Sequence, residues 1–331
     1  MSNGDSRRRI VVVTGAAGGI GAAIAARFAA EERVVSLWDL DPAVHDTAAA
    51  LATTAAALAT TATGGATADL GGTGTTHAVG GVNAATDDAI ATHGGDTGAA
   101  PDSSRSAADP RAARSESAGA TGASVHGVTV DLTDADAVRA AFDRLTDEHG
   151  RVEVLVHAAG VLVGGTALDL DVDDWTRCLT VNATATVLVT QRAATDMAAA
   201  GRGSIVVVSS NAAAAPRVGM AAYGAAKAAA TAFTRSLALQ VAPLGVRVNL
   251  VSPGSTDTTM LLDMFGGTPL DEAAESALLD GDPAAYRLGI PLRRIAAPDD
   301  IASAVHFLAS DGARHITMHD LRVDGGATLD M

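Results

Sequence analysis

The chain has 331 residues, enough for one large α/β domain or two smaller ones, and its formal net charge is −15. This acidity argues against a nucleic-acid-binding or membrane-surface protein, because both need basic patches. No apolar run reaches the length of a membrane span, and none before the first predicted strand resembles a signal peptide, so we expect a cytoplasmic protein. The single cysteine, Cys178, excludes an internal disulfide and a Cys-rich metal site, and no metal site is predicted.

A glycine-rich turn follows the first predicted strand, RIVVVT at Arg9–Thr14, and leads into an Ala-rich helix that extends to about Glu31. Glycines in this context permit a tight turn and let the backbone approach a pyrophosphate, which the helix N-terminus then faces. The residues predicted to bind a dinucleotide here are Gly15, Gly19, Ile20 and Gly21.

An acidic residue, Asp39, ends the second predicted strand, which covers Arg33–Trp38. A carboxylate at this position can accept hydrogen bonds from both hydroxyls of an adenosine ribose, and it would repel a 2′-phosphate. The predicted cofactor is therefore NAD and not NADP. The alternative is an ordinary solvated loop carboxylate.

Residues from about 63 to 122 are mostly Gly, Ala, Thr, Ser and Asp, and they follow a predicted helix at Pro42–Thr61. No aromatic residue occurs between Trp38 and Phe142, so this stretch cannot bury enough apolar area to offset its chain entropy. We therefore expect a single domain over 1–331 that contains a flexible surface insertion at 63–122.

A third strand is predicted at Ala123–Val130. The pair Asp131 and Leu132 follows it directly and is placed to approach an adenine ring. The next helix is predicted over Thr133–His149, with Thr133 as its N-cap.

Two further turns are predicted to pass beside the cofactor. The first follows a strand at Val152–His157, where small residues let the backbone come close to a ligand. The second follows a strand at Val246–Val251, where a Pro-Gly pair would turn the chain beside the nicotinamide. The residues predicted to contact the cofactor at these turns are Ala159, Gly160, Pro253 and Gly254.

Asn182 lies in the middle of a long predicted helical region, Asp171–Ala200. Asn is a poor helix former, so its presence there needs a reason. Either the amide turns toward an active site, or it points outward into solvent.

The stretch Ile205–Lys227 carries the strongest catalytic pattern. Its first residues, IVVV, indicate a buried parallel strand, and Ser210 follows at the carboxyl end, where open α/β sheets bind ligands. In the Ala-rich helix beyond it, Tyr223 and Lys227 have the spacing that places two side chains on one face. The cation is expected to lower the tyrosine pKa toward that of a general base. The alternative is a surface Tyr-x-x-x-Lys pair without function.

Strands alternate with helices along the whole chain, which predicts an α/β fold with a Rossmann-type doubly wound parallel sheet. Met260–Arg294 reads as mixed helix and loop and suits a mobile lid over a substrate. The last helix and strand are predicted at Asp299–Ser310 and Asp320–Val323.

These motifs together resemble the short-chain dehydrogenase/reductase superfamily. The resemblance implies that Tyr223 is the general base, that Lys227 also binds the nicotinamide ribose, and that Ser210 holds the substrate oxygen. It further implies that Asn182 positions a water and that the protein is a homotetramer. The usual Asn-Asn-Ala-Gly motif is replaced here by His157-Ala158-Ala159-Gly160.

Longer strings in the second half, such as PRVGMAAYGAAKAA and LGIPLRRIAAPDDIA, are similar to the 2,3-dihydro-2,3-dihydroxybenzoate dehydrogenases within that superfamily. This likeness implies NAD-dependent oxidation of a carboxylated cyclohexadienol to a catechol for siderophore biosynthesis. Arg217 is the expected partner of the substrate carboxylate, unless it pairs with an acidic neighbour on the surface. Met220 and Met260 would form apolar walls for the ring, although ordinary packing explains them equally well.

Three other functions stay open. A dihydro-3-hydroxyanthranilate, or another carboxylated cyclic alcohol, would use the same chemistry. A 3-oxoacyl-carrier-protein reductase is disfavoured, because Asp39 disfavours NADPH and the acidic carrier would need a basic patch. A non-catalytic NAD-sensing regulator is disfavoured by the intact Ser210, Tyr223 and Lys227.

Overall fold

The computed structural model describes residues 9–31, 33–64 and 124–329. The predicted insertion at 63–122 lies outside the described residues, apart from its first two positions, which end a helix. Among the described residues, no helix is both long enough and apolar enough to span a bilayer.

The strands are short, and most of them are Val-rich, as expected of strands covered on both faces. In chain order they are β1 Ile10–Thr14, β2 Val34–Asp39, β3 Ser124–Thr129, β4 Val152–His157, β5 Gly203–Val208, β6 Val246–Pro253, β7 Gly281–Asp282, β8 Arg287–Leu288 and β9 Asp320–Val323.

The α-helices alternate with these strands over most of the described chain. They are α1 Gly19–Ala29, α2 Val44–Gly64, α3 Ala135–His149, α4 Val172–Leu179, α5 Ala185–Ala200, α6 Ala221–Val241, α7 Thr259–Asp263, α8 Glu272–Asp280 and α9 Pro298–Ala309.

Seven strands form one sheet in the order β3-β2-β1-β4-β5-β6-β9, with every neighbouring pair parallel. The strand order reverses direction between β1 and β4, which opens a crevice at the carboxyl ends of these strands. The predicted doubly wound α/β fold is confirmed. β7 and β8 form a separate antiparallel hairpin within the predicted lid.

Each face of the sheet is covered by its own apolar core. On one face Trp38 packs edge-on against Phe142 of α3, with the ring centroids 4.7 Å apart, and its indole N–H donates to Ser36. On the other face, α1 and α9 cover the sheet with Phe28 and Ile301. Burial on both faces explains why the strands are continuous apolar runs.

Two local predictions about the helices differ from the structure. Asp134, and not Thr133, is the N-cap of α3, because its carboxylate accepts the N–H groups of Asp136 and Ala137. The Thr133 hydroxyl instead donates to Asp131. A carboxylate is favoured at this position because it also interacts with the helix dipole.

The helical region around Asn182 is not a continuous α-helix. A π-helical turn at Thr180–Thr184 separates α4 from α5. Such turns insert one extra residue and are frequent at functional sites. The inserted turn places Asn182 in the buried interior, 1% exposed, so the outward-facing alternative is wrong.

Candidate active site

The turn between β1 and α1 has a geometry that only glycine allows at two positions. Gly15 has φ +67°, and a Cβ there would lie 2.6 Å from the backbone nitrogen of Ala159. A Cβ on Gly21 would lie 2.0 Å from the carbonyl oxygen of Gly15. The turn therefore packs directly on the loop after β4 and on the first turn of α1. At Gly18, by contrast, a Cβ would meet no atom within 4 Å.

A cavity of about 610 Å³ lies beside this turn. It gathers the residues predicted to bind a dinucleotide around the turn, at the ends of β2 and β3, and after β4. The predicted residues that line it are Gly15, Gly19, Ile20, Gly21, Asp39, Asp131, Leu132, Ala159 and Gly160. The donor-rich turn, the acidic residue and the small residues fit a dinucleotide in size and chemistry.

Asp39 is held over the glycine turn. One carboxylate oxygen accepts the backbone N–H of Ala17 at 2.9 Å, and the other accepts that of Asp41 at 3.1 Å. Each oxygen keeps a further lone pair for a ribose hydroxyl. Asp131 is committed differently, because one of its oxygens accepts both the N–H and the hydroxyl of Thr133.

A smaller cavity of about 130 Å³ contains three of the four predicted catalytic side chains, and Asn182 does not line it. It shares Ile20, Gly160 and Met260 with the larger one, so the two are contiguous at the carboxyl edge of the sheet. The predicted residues in its lining are Ser210, Arg217, Met220, Tyr223, Lys227, Pro253, Gly254 and Met260. One arginine that was not predicted, Arg287, lines it as well.

Tyr223 and Lys227 lie on one face of α6, as their spacing predicts. The predicted lowering of the tyrosine pKa, however, is wrong. Burial raises the pKa of Tyr223 to about 12, while the hydrogen bond with Ser210 and the charge of Arg217 act in the opposite direction. The Lys227 ammonium lies 5.8 Å from the ring centroid and donates to the Val208 carbonyl at 3.1 Å. Desolvation of the buried phenol is therefore the largest effect on its pKa, and the ammonium is hydrogen-bonded to a strand carbonyl instead.

Burial also lowers the pKa of Lys227, to about 8. A Cβ on Gly160 would lie 3.2 Å from the Lys227 ammonium and 2.7 Å from the Asn182 side-chain oxygen. Glycine at this position thus leaves room for both polar groups at one point of the crevice.

Asn182 ties its π-turn to the loop after β4. Its side-chain nitrogen donates to the carbonyls of Val161 at 2.9 Å and Cys178 at 3.0 Å, and its side-chain oxygen accepts the N–H of Val161 at 3.2 Å. Cys178 is buried beneath it, as expected of a structural thiol. The amide therefore holds the backbone next to Gly160 in place.

His157 has a bracing role that the sequence did not reveal. Its Nδ1 lies 2.9 Å from the hydroxyl oxygen of Thr14, which also accepts the N–H groups of Ala158 and Ala159. Burial and the charge of Lys227 lower the pKa of His157 to about 3, so the ring is neutral. This contact joins β1 to β4 where the family's usual asparagines are missing.

The family model for enoyl-(acyl carrier protein) reductase matches residues 88–328 of the chain. The chain belongs to the short-chain dehydrogenase/reductase family. A short-chain type dehydrogenase/reductase from Mycobacterium ulcerans superposes with a TM-score of 0.69 at 24% identity, over 97% of this chain and 90% of that one, and supports the fold.

Two relatives within this family act on ring compounds, as their names state. The vibriobactin-specific 2,3-dihydro-2,3-dihydroxybenzoate dehydrogenase of Vibrio cholerae is 43% identical over 61% of this chain and 75% of its own length. The cis-4-hydroxycyclohexanecarboxylate dehydrogenase of Sinomonas cyclohexanicum is 39% identical over 61% of this chain and 76% of its own. The chain is thus an oxidoreductase of the short-chain family, and its relatives indicate a nicotinamide cofactor.

Proposed function

We propose that the protein oxidises 2,3-dihydro-2,3-dihydroxybenzoate to 2,3-dihydroxybenzoate with NAD, as a step in catecholate siderophore biosynthesis. The observation that carries the proposal is the contiguity of the two cavities. The cavity with Tyr223, Ser210 and Arg217 opens onto the cavity of the glycine turn. The likeness to the Vibrio cholerae enzyme supports the choice of substrate.

In this proposal Asp39, Gly160 and the glycine turn would hold the cofactor, and Pro253 and Gly254 would flank its nicotinamide. When bound, NAD⁺ supplies the hydride acceptor and a positive charge close to the phenol. The free carboxylate lone pairs of Asp39 favour a ribose with two hydroxyls over a ribose 2′-phosphate, which selects NAD over NADP.

The side chains then divide the proton chemistry among them. Ser210 donates to the substrate hydroxyl oxygen, and Tyr223 accepts the hydroxyl proton as the hydride leaves the same ring carbon. The resulting ketone tautomerises to the catechol, so the lost pair of hydrogens is fully accounted for by one hydride and one proton. Arg217 favours the phenolate by its charge, Lys227 would bind the nicotinamide ribose, and Asn182 would position the water that links Lys227 to solvent.

The substrate carboxylate is assigned to Arg217. A protein of net charge −15 needs a local cation to hold an anionic ring, and a planar guanidinium binds a carboxylate through two hydrogen bonds. Met220 and Met260, which line the same cavity, would contact the ring.

A spectrophotometric scan for NADH formation across carboxylated cyclohexadienols tests this function. We expect the highest kcat/KM with 2,3-dihydro-2,3-dihydroxybenzoate. A higher value with a dihydro-3-hydroxyanthranilate or a hydroxycyclohexanecarboxylate would favour the second candidate, a related ring acid, which the Sinomonas relative supports. No NADH from any of them would reject the proposal and favour an NAD-sensing regulator.

We also propose a cytoplasmic homotetramer, in line with the family resemblance. Sedimentation equilibrium of the purified full-length chain tests the assembly, and a monomer would contradict it.

A further inference from the structure

Two arginines face the small cavity from different parts of the chain. Arg217 lies in the loop before α6, and Arg287 lies on β8 of the lid. The loop and the lid are joined by a backbone hydrogen bond from Val218 N–H to the Ala285 carbonyl at 3.4 Å. Both arginines are therefore close in sequence to a point where these two segments are hydrogen-bonded.

Neither guanidinium has a carboxylate partner among the described residues. Many other arginines of this acidic chain are in ion pairs, such as Arg27 with Asp299 and Arg294 with Asp300. Among the described residues, Arg287 donates to the neutral hydroxyl of Ser255, at 3.1 Å, and to no carboxylate. Within the described part of the chain, the lining of this one cavity therefore holds two cations without a carboxylate partner, in a protein whose acidic residues outnumber its basic ones.

The nearest acidic side chains are already engaged. Asp324, whose charge acts on Arg217, accepts hydrogen bonds from Asn211, Gly326 and Thr328. Asp282, whose charge acts on Arg287, accepts the N–H groups at the start of the short turn after β7. Among the described residues, neither acid makes an ion pair with either arginine, so each acts on the pair only from a distance.

The two arginines also repel each other. Burial lowers the pKa of both arginines, and the charge of Arg217 lowers the pKa of Arg287 further. Half-buried like charges are costly unless an anion accompanies them. An anion bound between them would offset both their mutual repulsion and the cost of burying two unpaired charges.

We propose that Arg287 is a second carboxylate-binding residue, which holds the ring acid together with Arg217 and so couples the lid to the substrate. The proposal rests on the proposed function for the identity of the ring acid. It adds that the lid itself contributes charge recognition, which makes Arg287 a specificity-determining residue. A ring alcohol without a carboxylate would leave the two cations unneutralised and bind poorly.

The test compares binding of 2,3-dihydroxybenzoate and catechol by calorimetry to the full chain saturated with NAD. This combination does not react, because both ring compounds are already oxidised. The variants are Arg287→Gln, Arg287→Lys and, as a matched control, Arg294→Gln, which removes an exposed charge at the end of the lid and outside the cavity.

We expect Arg287→Gln to weaken the binding of 2,3-dihydroxybenzoate by about 10- to 100-fold and to change the affinity for catechol by no more than about twofold. Arg287→Lys should lie between, because it keeps the charge without the planar fork. Arg294→Gln should leave both ligands unchanged. Thermal unfolding reports whether each variant folds, and if Arg287→Gln does not, the Lys variant must still weaken the acid more than catechol.

Equal losses for the two ligands, or a loss of less than about threefold for the acid, would overturn the role of Arg287. This failure differs from failure of the proposed function. If the wild type forms NADH from the dihydrodiol acid, and Arg287→Gln keeps the wild-type ratio of affinities for 2,3-dihydroxybenzoate and catechol, only the role of Arg287 is contradicted. An enzyme that forms no NADH, yet loses selectivity for the acid in Arg287→Gln, contradicts only the reaction.

Discussion

The cofactor side and the substrate side of the crevice are built from different parts of the polypeptide. On the cofactor side the glycine turn lines the cavity. A Cβ on Gly15 or Gly21 would lie less than 3 Å from backbone atoms, so only glycine fits at these positions. On the substrate side, side chains line the cavity, among them Tyr223, Arg217 and Arg287. The first side therefore depends mainly on backbone shape, with Asp39 as its proposed charged contact, and the second depends on charge and proton affinity.

The largest effect on stability is expected at Gly21, and it tests whether the cofactor side depends on backbone shape. Gly21→Ala places a Cβ 2.0 Å from a backbone carbonyl oxygen, so the turn must shift, at a cost of about 3 kcal/mol. Gly18→Ala is the matched control, because its Cβ meets no atom within 4 Å. Chemical denaturation measures the free energy of unfolding of both variants. Equal stability of the two variants would show that the turn does not depend on glycine as the structure implies.

The next effect is expected at His157, which joins β1 to β4, and it is small at neutral pH and grows as the pH falls. The pKa of His157 is about 3 in the folded chain and about 6.5 in the unfolded chain, so only the unfolded chain gains this proton between those pH values. Stability should therefore fall with decreasing pH over that range, by about 1.4 kcal/mol per pH unit from this group.

His157→Asn removes that titration and restores the family's usual residue. The free energy of unfolding, measured from pH 7 to pH 4, should fall less steeply in this variant than in the wild type. The same slope in both proteins would mean that the ring is not held neutral against Thr14.

The smallest effect is expected on the cofactor side, at Asp39. Asp39→Ala removes the proposed ribose acceptor and the negative charge, so the preference for NAD over NADP should fall by about tenfold. The ratio of kcat/KM for the two cofactors measures it, and Asp46→Ala, which removes an exposed carboxylate outside the cavity lining, is the control. An unchanged ratio in Asp39→Ala would place cofactor selection elsewhere.

The fold could be predicted in detail because its signals are local. The bounds of β4 and β9 agree with those expected from their apolar runs, and the glycine turn has the strand and helix that its motif requires. Features that depend on contacts across the sheet could not be predicted. The spacing of Tyr223 and Lys227 reveals a shared face, but not that the ammonium is bonded to the Val208 carbonyl.

Three other features were hidden for the same reason. The π-turn at Thr180–Thr184 has no sequence signature beyond a poorly placed Asn. The sequence shows His157 only as a departure from the family's usual motif, and its contact with Thr14 is visible only in the structure. Arg287 lies far along the chain from Tyr223, in a segment whose composition indicates only a lid, and the structure alone brings it into the same cavity.

The most direct measurement of the central claim is the rate of NADH formation from 2,3-dihydro-2,3-dihydroxybenzoate by the wild type and by Tyr223→Phe, with NAD affinity measured in parallel. We predict that the variant loses about 10²- to 10⁴-fold in kcat and binds NAD as the wild type does. Turnover of Tyr223→Phe close to that of the wild type would contradict the assignment of this phenol as the base.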